Sequence, residues 1–204
     1  MAEYKNVEKP FLEKLKQLNW EVIDQGSFGI PQDPSKSLRT SFREVTLKER
    51  FKSAVSKINT TNGFEWLTDK QLDDLFQEVT AFERSNVSLL EVNKVVFEKL
   101  IGKTKTTLAV NESTGEKNVA IKLIDFENGE NNTFTAINQF RVVTPGGPRE
   151  GIIPDIVLFI NGLPVIVIEC KDVDVNDPIS EAVNQIERYS NTRADDFGIK
   201  EGED

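Results

Sequence analysis

The stretch IIPDIVLFINGLPVIVIECK, residues 152–171, decides the fold of this chain. Two apolar runs, 152–160 and 163–170, flank the dipeptide Asn161-Gly162. Apolar runs of this length separated by Asn-Gly are typical of a β-hairpin, because both turn residues accept the positive φ of a tight turn. The stretch therefore predicts two paired and largely buried strands.

Charged residues stand at the open ends of this hairpin. Asp155 follows Pro154 in the first run, and the second run ends in Glu169, Cys170 and Lys171. Because side chains alternate along a strand, Glu169 and Lys171 are expected on one face and Cys170 on the other. A charged pair at the mouth of a buried strand is costly unless it is solvated or has a function.

The position of Asp155 relative to Glu169 depends on the turn. A two-residue loop would place the two carboxylates on opposite faces, whereas a three-residue loop closing on Gly162 would make them diagonal neighbours on one face. Pro164 cannot donate a ladder hydrogen bond, which argues against a regular tight hairpin. We therefore predict an odd-length loop or an equivalent bulge, with both carboxylates within reach of one cation.

Two carboxylates on one face suit Mg²⁺ or Mn²⁺, which prefer oxygen ligands. The backbone carbonyl of Cys170 is a candidate metal ligand beside Asp155 and Glu169. Lys171 would orient or help to deprotonate a water, or stabilise charge that develops on a phosphate. The pattern thus indicates a metal-assisted hydrolase site. The alternative is a chance spacing of common residue types.

The composition supports that chemistry by exclusion. The 204 residues include no histidine and one cysteine, which rules out a Ser-His or Cys-His nucleophile pair, His-ligated zinc and an internal disulfide. The net charge of −9 makes the chain as a whole a poor nucleic-acid binder. Residues 36–57 differ, because seven basic and two acidic residues give them a net charge of +5. Lys48, Arg50 and Lys52 are possible phosphate contacts there, or part of a solvated helix face.

The rest of the pattern predicts helices first and strands later. Helical spacing marks residues 1–102 as the helical part, and the apolar period then changes to that of strands. Residues 103–192 hold the predicted mixed or mainly antiparallel sheet and a last helix. The tail, 193–204, is acidic and weakly patterned. We expect one α/β domain over 1–204.

The hairpin stretch resembles the nuclease motif of the PD-(D/E)xK superfamily. More narrowly, the chain resembles the N-terminal endonuclease region of the type I restriction enzyme R (HsdR) subunit. Three further blocks follow the order of that family: LNWEVI at 18–23, SFREVTLKERFKSAVSKIN at 41–59 and LIDFENGENNTFTAINQFRV at 123–142. Gln185 and Tyr189 in QIERY match the QxxxY motif of the RecB-like branch, where the pair would position DNA or the active-site lysine. An ordinary polar-aromatic pair is the alternative interpretation.

The resemblance implies a restriction-endonuclease-like fold, in which a mixed sheet is flanked by helices and preceded by a helical region. It implies metal binding by Asp155 and Glu169, with Lys171 as the catalytic lysine. Many relatives add an acidic residue from an upstream helix. Glu21 and Glu91 are candidates for that position, and the sequence does not decide between them.

The resemblance also implies a function and partners. The chain would be the Mg²⁺- or Mn²⁺-dependent endonuclease domain of a type I site-specific deoxyribonuclease, which hydrolyses phosphodiester bonds of double-stranded DNA with a metal-activated water. The methyltransferase (M) and specificity (S) subunits would be its partners, and the chain would be a fragment of a longer subunit with an ATP-dependent motor. A catalytically silent docking domain with the nuclease fold, or a repair or recombination nuclease of the same superfamily, are the alternatives.

Targeting and nucleotide-binding signals are not found in the sequence. The polar N-terminus is unlike a signal peptide, and no apolar run approaches the roughly 18 residues that a membrane span needs. Gly102-Lys103 lacks the earlier glycine of a P-loop, since position 97 is Phe. We therefore expect a cytoplasmic chain with no ATP site and no membrane partner.

Overall fold

A computed structural model describes residues 3–27, 29–80, 89–102, 108–112, 114–143, 151–172 and 174–189. The helices are α1 (Lys9–Gln17), α2 (Lys48–Ile58), α3 (Asp69–Thr80), α4 (Leu89–Leu100) and α5 (Pro178–Tyr189). The strands are β1 (Glu21–Ile23), β2 (Leu108–Asn111), β3 (Glu116–Ala120), β4 (Phe134–Asn138), β5 (Ile156–Ile160) and β6 (Leu163–Ile168). The predicted mixed α/β architecture is confirmed. Within the described ranges, no helix has the length and apolar character that crossing a bilayer requires.

The chain forms two compact units. The first comprises residues 1–45, 134–159 and 164–204, and the second comprises 46–133 and 160–163. The helices of the N-terminal half are therefore divided, because α1 belongs to the first unit and α2, α3 and α4 to the second. The expectation of one domain over the whole chain stays a prediction.

A four-stranded mixed sheet organises the first unit, in the order β1-β4-β5-β6. Strand β1, which the sequence did not predict, pairs in parallel with β4, so that Val22 lies opposite Ala136. The core beneath the sheet joins the apolar face of α1 to the strands and consists of Leu12, Leu15, Ala136, Ile156, Leu158 and Cys170. This packing explains why so short a strand as β1 is stable, since Val22 packs against the same core.

Helix α1 begins earlier than its sequence signals indicate. A π-helical turn, Tyr4–Glu8, runs directly into α1, whereas proline at a first-turn position predicts a start at Pro10. The hydroxyl of Tyr4 donates to the carboxylate of Asp24 over 2.7 Å and ties this turn to the segment after β1. Single π turns are rare and occur frequently at functional sites, so the irregular start of α1 is of interest for the site below.

The β5-β6 hairpin closes with a two-residue turn. Asn161 has φ 51° and Gly162 has φ 77°, which is the backbone of a type I′ turn. The predicted odd-length loop is therefore wrong, and the equivalent bulge that was its alternative stays a prediction. The objection from Pro164 fails because β6 is the last strand in the sheet order, and the exposed Pro164 needs no hydrogen-bond partner on the open side of an edge strand.

The second unit is built on α2, α3 and the antiparallel β2-β3 hairpin. Its core contains Phe51 and Phe76, whose rings meet edge to face with centroids 5.4 Å apart. Helix α3 starts with a capping box, in which the backbone N–H of Gln71 donates to the Thr68 hydroxyl and the Thr68 N–H donates to the Gln71 side chain. The helical interpretation of this region is thereby confirmed.

Asn161 is fully buried and anchors the hairpin tip in this unit. Its side-chain amide donates to the carbonyl of Leu123 and to Oδ1 of Asn132, each over 2.8 Å, and its Oδ1 accepts the backbone N–H of Thr133. Both amide hydrogens and the amide oxygen of Asn161 therefore take part in hydrogen bonds. Asparagine serves two purposes here, because it also tolerates the left-handed backbone of the turn.

The second turn residue has no room for a side chain. The carbonyl of Gly162 accepts the backbone N–H of Leu47 over 2.8 Å, just before α2. A Cβ atom at Gly162 would lie 2.5 Å from the carbonyl oxygen of Leu47 and 2.6 Å from the backbone nitrogen of Phe51. Close backbone approach and positive φ both require glycine at this position.

We expect Gly162→Ala to destabilise the chain more than the strain of a positive φ alone does. Gly63→Ala is the matched control, since Gly63 has φ +78° and a Cβ atom added there would meet nothing within 4 Å. The control should cost about 1–2 kcal/mol of unfolding free energy, and Gly162→Ala at least about 1–3 kcal/mol more from overpacking. Urea unfolding of both variants measures the difference. Equal losses of unfolding free energy would contradict the close approach of the backbone to Gly162.

Candidate functional site

Asp155 lies just before β5 and is held on two sides. Its Oδ2 accepts the backbone N–H of Cys170 over 2.8 Å, and its backbone carbonyl accepts the N–H of Gln139, also over 2.8 Å. The residue is only 8% exposed. A buried carboxylate needs such donors in place of water. Asp155 is thereby fixed next to the segment that carries Glu169 and Lys171.

Asp155 and Glu169 come together although the turn has the length that should separate them. In a regular hairpin closed by two residues, Asp155 would pair with Ile168, and Glu169 would point to the opposite face. The regular strands stop short of both carboxylates, however, since β5 starts at Ile156 and β6 ends at Ile168. Beyond the strand ends, the hydrogen bond from the Cys170 N–H to the Asp155 carboxylate keeps the two segments adjacent. The predicted juxtaposition is present, for a reason other than the predicted one.

Glu169 is a partly buried carboxyl group in an unfavourable setting. Burial, together with the neighbouring charge of Asp155, raises the pKa of Glu169 to about 7, against the smaller opposing effects of Tyr189 and Lys171. These neighbours act through proximity rather than through formed hydrogen bonds, because both Glu169 oxygens are buried without a partner of hydrogen-bonding geometry among the described residues. Such a group gains stability from a bound cation or a proton.

A third carboxylate, Glu8, joins Asp155 from the π-helical turn. Single oxygens of Glu3, Glu8 and Asp155 lie within 4.8 Å of one another. Glu8 is 3% exposed, and burial and the charge of Asp155 raise its pKa. These three carboxylates around one point form a donor set that fits a hard divalent cation. Glu169, whose two oxygens lack a hydrogen-bond partner among the described residues, lies near Asp155.

The sequence patterns did not identify Glu8 as a candidate site residue. The acidic candidates that it named, Glu21 and Glu91, are both exposed. A signal for Glu8 was available, because Glu8, Leu12 and Leu15 are spaced i, i+4 and i+7 and so share one helix face. A carboxylate in line with a buried apolar stripe is a candidate for a buried site.

Lys171 and Cys170 follow Glu169 at the end of the hairpin, and the backbone carbonyl of Cys170 differs in one respect from the prediction. The ammonium of the half-buried Lys171 donates to the backbone carbonyl of Cys170 over 3.0 Å, so this predicted metal ligand already has a partner. The Cys170 side chain lies in the apolar core on the other face, as alternation predicts. Burial raises the pKa of the Cys170 thiol to about 12, which keeps it protonated and unsuited to ligation.

Gln185 and Tyr189 on α5 form a linked pair at the site. The Gln185 side chain donates to the Tyr189 hydroxyl over 2.9 Å, and that hydroxyl donates to the carbonyl of Ile153 over 3.3 Å. The hydroxyl is also near Glu169. Burial is the main cause that raises the pKa of Tyr189, and the charge of Glu169 raises it further. The pair thus connects α5 to the residues around Asp155 and Glu169. Its role in positioning DNA stays a prediction.

The three predicted phosphate contacts lie on α2 in the second unit. Lys48 forms an ion pair with Asp73 over 2.9 Å, and Lys52 pairs with Asp69 and Asp73 over 3.2 and 3.3 Å. Arg50 also has an interaction partner. Phosphate binding by these residues stays a prediction, and it would have to compete with carboxylates that already neutralise the two lysines.

The raised pKa of Glu169 predicts how stability depends on pH. The folded chain holds this proton up to about pH 7, whereas an unfolded chain releases it near the ordinary glutamate value of 4.5. The free energy of unfolding therefore falls as the pH rises through that window. Glu169→Gln, which cannot ionise, should raise the melting temperature at pH 8 in EDTA and leave it unchanged near pH 4. The gain at pH 8 is on the order of 1 kcal/mol, allowing for partial exposure.

The control for this measurement is Glu127→Gln, because the Glu127 side chain is 80% exposed. This variant should have the same melting temperature as the unmodified chain at both pH values. A Glu169→Gln variant with no stabilisation at pH 8 would contradict the unfavourable setting of the carboxylate.

Comparisons with known proteins agree on one family. The family described as "Type I restriction enzyme R protein N terminus" matches residues 1–202. The chain is 32% identical over 178 residues to the putative type I restriction enzyme MjaIXP endonuclease subunit of Methanocaldococcus jannaschii. The aligned region covers 87% of the chain and 16% of that protein. It is 28% identical over 198 residues to the type I restriction enzyme HindI endonuclease subunit of Haemophilus influenzae, covering 97% of the chain and 18% of that protein. The chain thus spans less than a fifth of the length of these curated relatives.

Proposed function

The chain belongs to the family of type I restriction enzyme R protein N-terminal regions, and we propose that it is the metal-dependent endonuclease domain of such an enzyme. Its reaction is the hydrolysis of DNA phosphodiester bonds. Asp155, Glu169 and Lys171 carry the chemistry, with Glu8 as a further acidic ligand. The specific PD-(D/E)xK fold and the use of Mg²⁺ or Mn²⁺ are parts of the same proposal.

The main support for the proposal is a cluster of carboxylate groups whose negative charge the neighbouring positive groups do not balance. Asp155, Glu8 and Glu3 offer oxygens within 4.8 Å of one another, and the two oxygens of Glu169 are buried and unpartnered among the described residues. Clustered carboxylates repel one another, and a divalent cation removes that repulsion. A bound Mg²⁺ or Mn²⁺ would polarise a phosphate and make a water molecule a better nucleophile.

The neighbouring residues have roles that their contacts suggest. Oδ2 of Asp155 accepts the Cys170 N–H, and the other oxygen of this carboxylate would bind the cation. The Lys171 ammonium, which donates to the Cys170 carbonyl, is placed to stabilise charge that develops on a phosphate. The Tyr189 hydroxyl, which accepts from Gln185 and donates to the Ile153 carbonyl, keeps α5 close to Glu169.

The charge of the chain and the length of its relatives support a proposal about partners and DNA delivery. A chain with a net charge of −9 does not bind DNA strongly by itself. We propose that other parts of a type I enzyme, including a motor region and the M and S subunits, hold the double-stranded DNA and present it to this site. Sequence specificity and ATP use belong to those parts in this proposal.

Calorimetric titration of the chain with Mn²⁺ tests the proposal. We expect binding that Asp155→Asn and Glu169→Gln each weaken at least tenfold, because each removes a carboxylate from the donor set. Glu127→Gln, at an exposed carboxylate, should bind as the unmodified chain does. In an assembled type I enzyme, Asp155→Asn, Glu169→Gln and Lys171→Ala should each abolish cleavage, while the motor still hydrolyses ATP.

Two outcomes would count against this proposal. Cleavage retained by all three variants would remove these residues from the chemistry. Mn²⁺ binding that is absent or independent of Asp155 and Glu169 would favour a catalytically silent docking domain, a role that the acidic charge of the chain also suits.

A further inference from the structure

Gln139 has an unusual backbone at the end of β4. Its φ is +49°, in the left-handed region that glycine, asparagine and aspartate enter most readily. The backbone N–H of Gln139 donates to the carbonyl of Asp155 over 2.8 Å. Strained backbone of this kind persists only where the surrounding structure requires it, and it clusters at functional sites.

The side chain of Gln139 reaches the other buried carboxylate. Its Nε2 donates to Oε2 of Glu8 over 3.4 Å, and Nδ2 of the preceding residue, Asn138, reaches the same oxygen at 3.5 Å. Neither of these amides donates to Oε1 of Glu8. One oxygen of the carboxylate is thus oriented by two amides, and a carboxylate oriented in this way can present its other oxygen to a ligand.

The amide of Asn138 is oriented by further contacts. Its Oδ1 accepts the backbone N–H of Gln25 over 2.6 Å, so its Nδ2 must face Gly26 and Glu8. The side chain of Gln25 in turn donates to the carbonyls of Asn138 and Gln139 over 2.7 and 3.2 Å. The two amides that face Glu8 therefore belong to a connected network rather than to chance contacts on a surface.

The backbone conformation alone does not explain why position 139 is a glutamine. Asparagine would suit φ +49° better, but its side chain is one methylene shorter. The extra methylene of glutamine lets Nε2 extend to Glu8 while the backbone N–H stays with Asp155. Side-chain reach is therefore the property that distinguishes Gln139 from residues that fit the turn more easily.

We propose that Gln139 is a positioning residue that sets the separation of Glu8 and Asp155. Its backbone holds one carboxylate residue and its side chain holds the other, so a single residue links two ligands from distant parts of the chain. The inference rests on the proposed function, because it concerns carboxylates that are proposed to bind Mg²⁺ or Mn²⁺. Groups that orient metal ligands in this way typically change metal affinity about 10- to 100-fold when they are replaced.

The test is Mn²⁺ titration of two variants of the chain by calorimetry. Gln139→Met keeps the length of the side chain but removes the donor, and Gln139→Asn keeps an amide and suits the backbone but loses the reach. We expect each variant to weaken Mn²⁺ binding about tenfold or more. Gln139→Asn should leave the melting temperature without metal unchanged or higher, which separates positioning from a general loss of structure. The matched control is Gln32→Met, since the Gln32 side chain donates only to the nearby carbonyl of Ile30 among the described residues.

A double-mutant comparison shows whether Gln139 acts through Glu8. In a Glu8→Gln background, Gln139→Met should weaken Mn²⁺ binding no further, because the carboxylate that it orients is gone. Unchanged affinity in both single variants, or a full additional loss in the Glu8→Gln background, would overturn the inference and leave the proposed function intact. Absence of Mn²⁺ binding by the unmodified chain would instead overturn the proposed function, and this inference with it.

Discussion

The hydrogen bond from the backbone N–H of Cys170 to the carboxylate of Asp155 joins the open ends of the β5-β6 hairpin. Without this donor, a carboxylate as buried as Asp155 would lose its hydration with little in return. The bond also ties the chain beyond β6, where Glu169 and Lys171 lie on either side of Cys170, to the residue just before β5. Glu8 approaches Asp155 from the turn that leads into α1. The carboxylates of the candidate site are therefore arranged around Asp155, one oxygen of which accepts this hydrogen bond.

Local patterns in the sequence predicted the elements that depend on local interactions. The Asn-Gly turn of the predicted hairpin has its cause within two residues. The capping box at Thr68 and the proline-led start of α5 are equally local features. The loop length at Asn161-Gly162 was predicted wrongly, because that prediction assumes strands that run on to Asp155 and Glu169. Where a strand ends depends on its tertiary neighbours, and here the strands stop at Ile156 and Ile168, short of both carboxylates.

Non-local features could not be predicted in the same way. Strand β1 is three residues long and exists because β4, more than a hundred residues later, pairs with it. Glu8 becomes a site residue only when the fold brings it to Asp155, Asn138 and Gln139. This gathering destabilises the folded chain, because raised pKa values at Glu8 and Glu169 mean that the folded state disfavours their charges. Stability is thus lower at the place where the proposed cation would bind, a trade-off that is common at functional sites.

The placement of the single cysteine has a practical consequence. Cys170 lies between Glu169 and Lys171 in the sequence, yet its thiol faces the apolar core and its pKa is raised to about 12. A thiol reagent therefore reacts with it only when this part of the chain opens, since the thiolate is the reactive form and burial prevents its formation. Because no other cysteine is present, the rate of labelling reports how often the strand end opens, with no engineered probe.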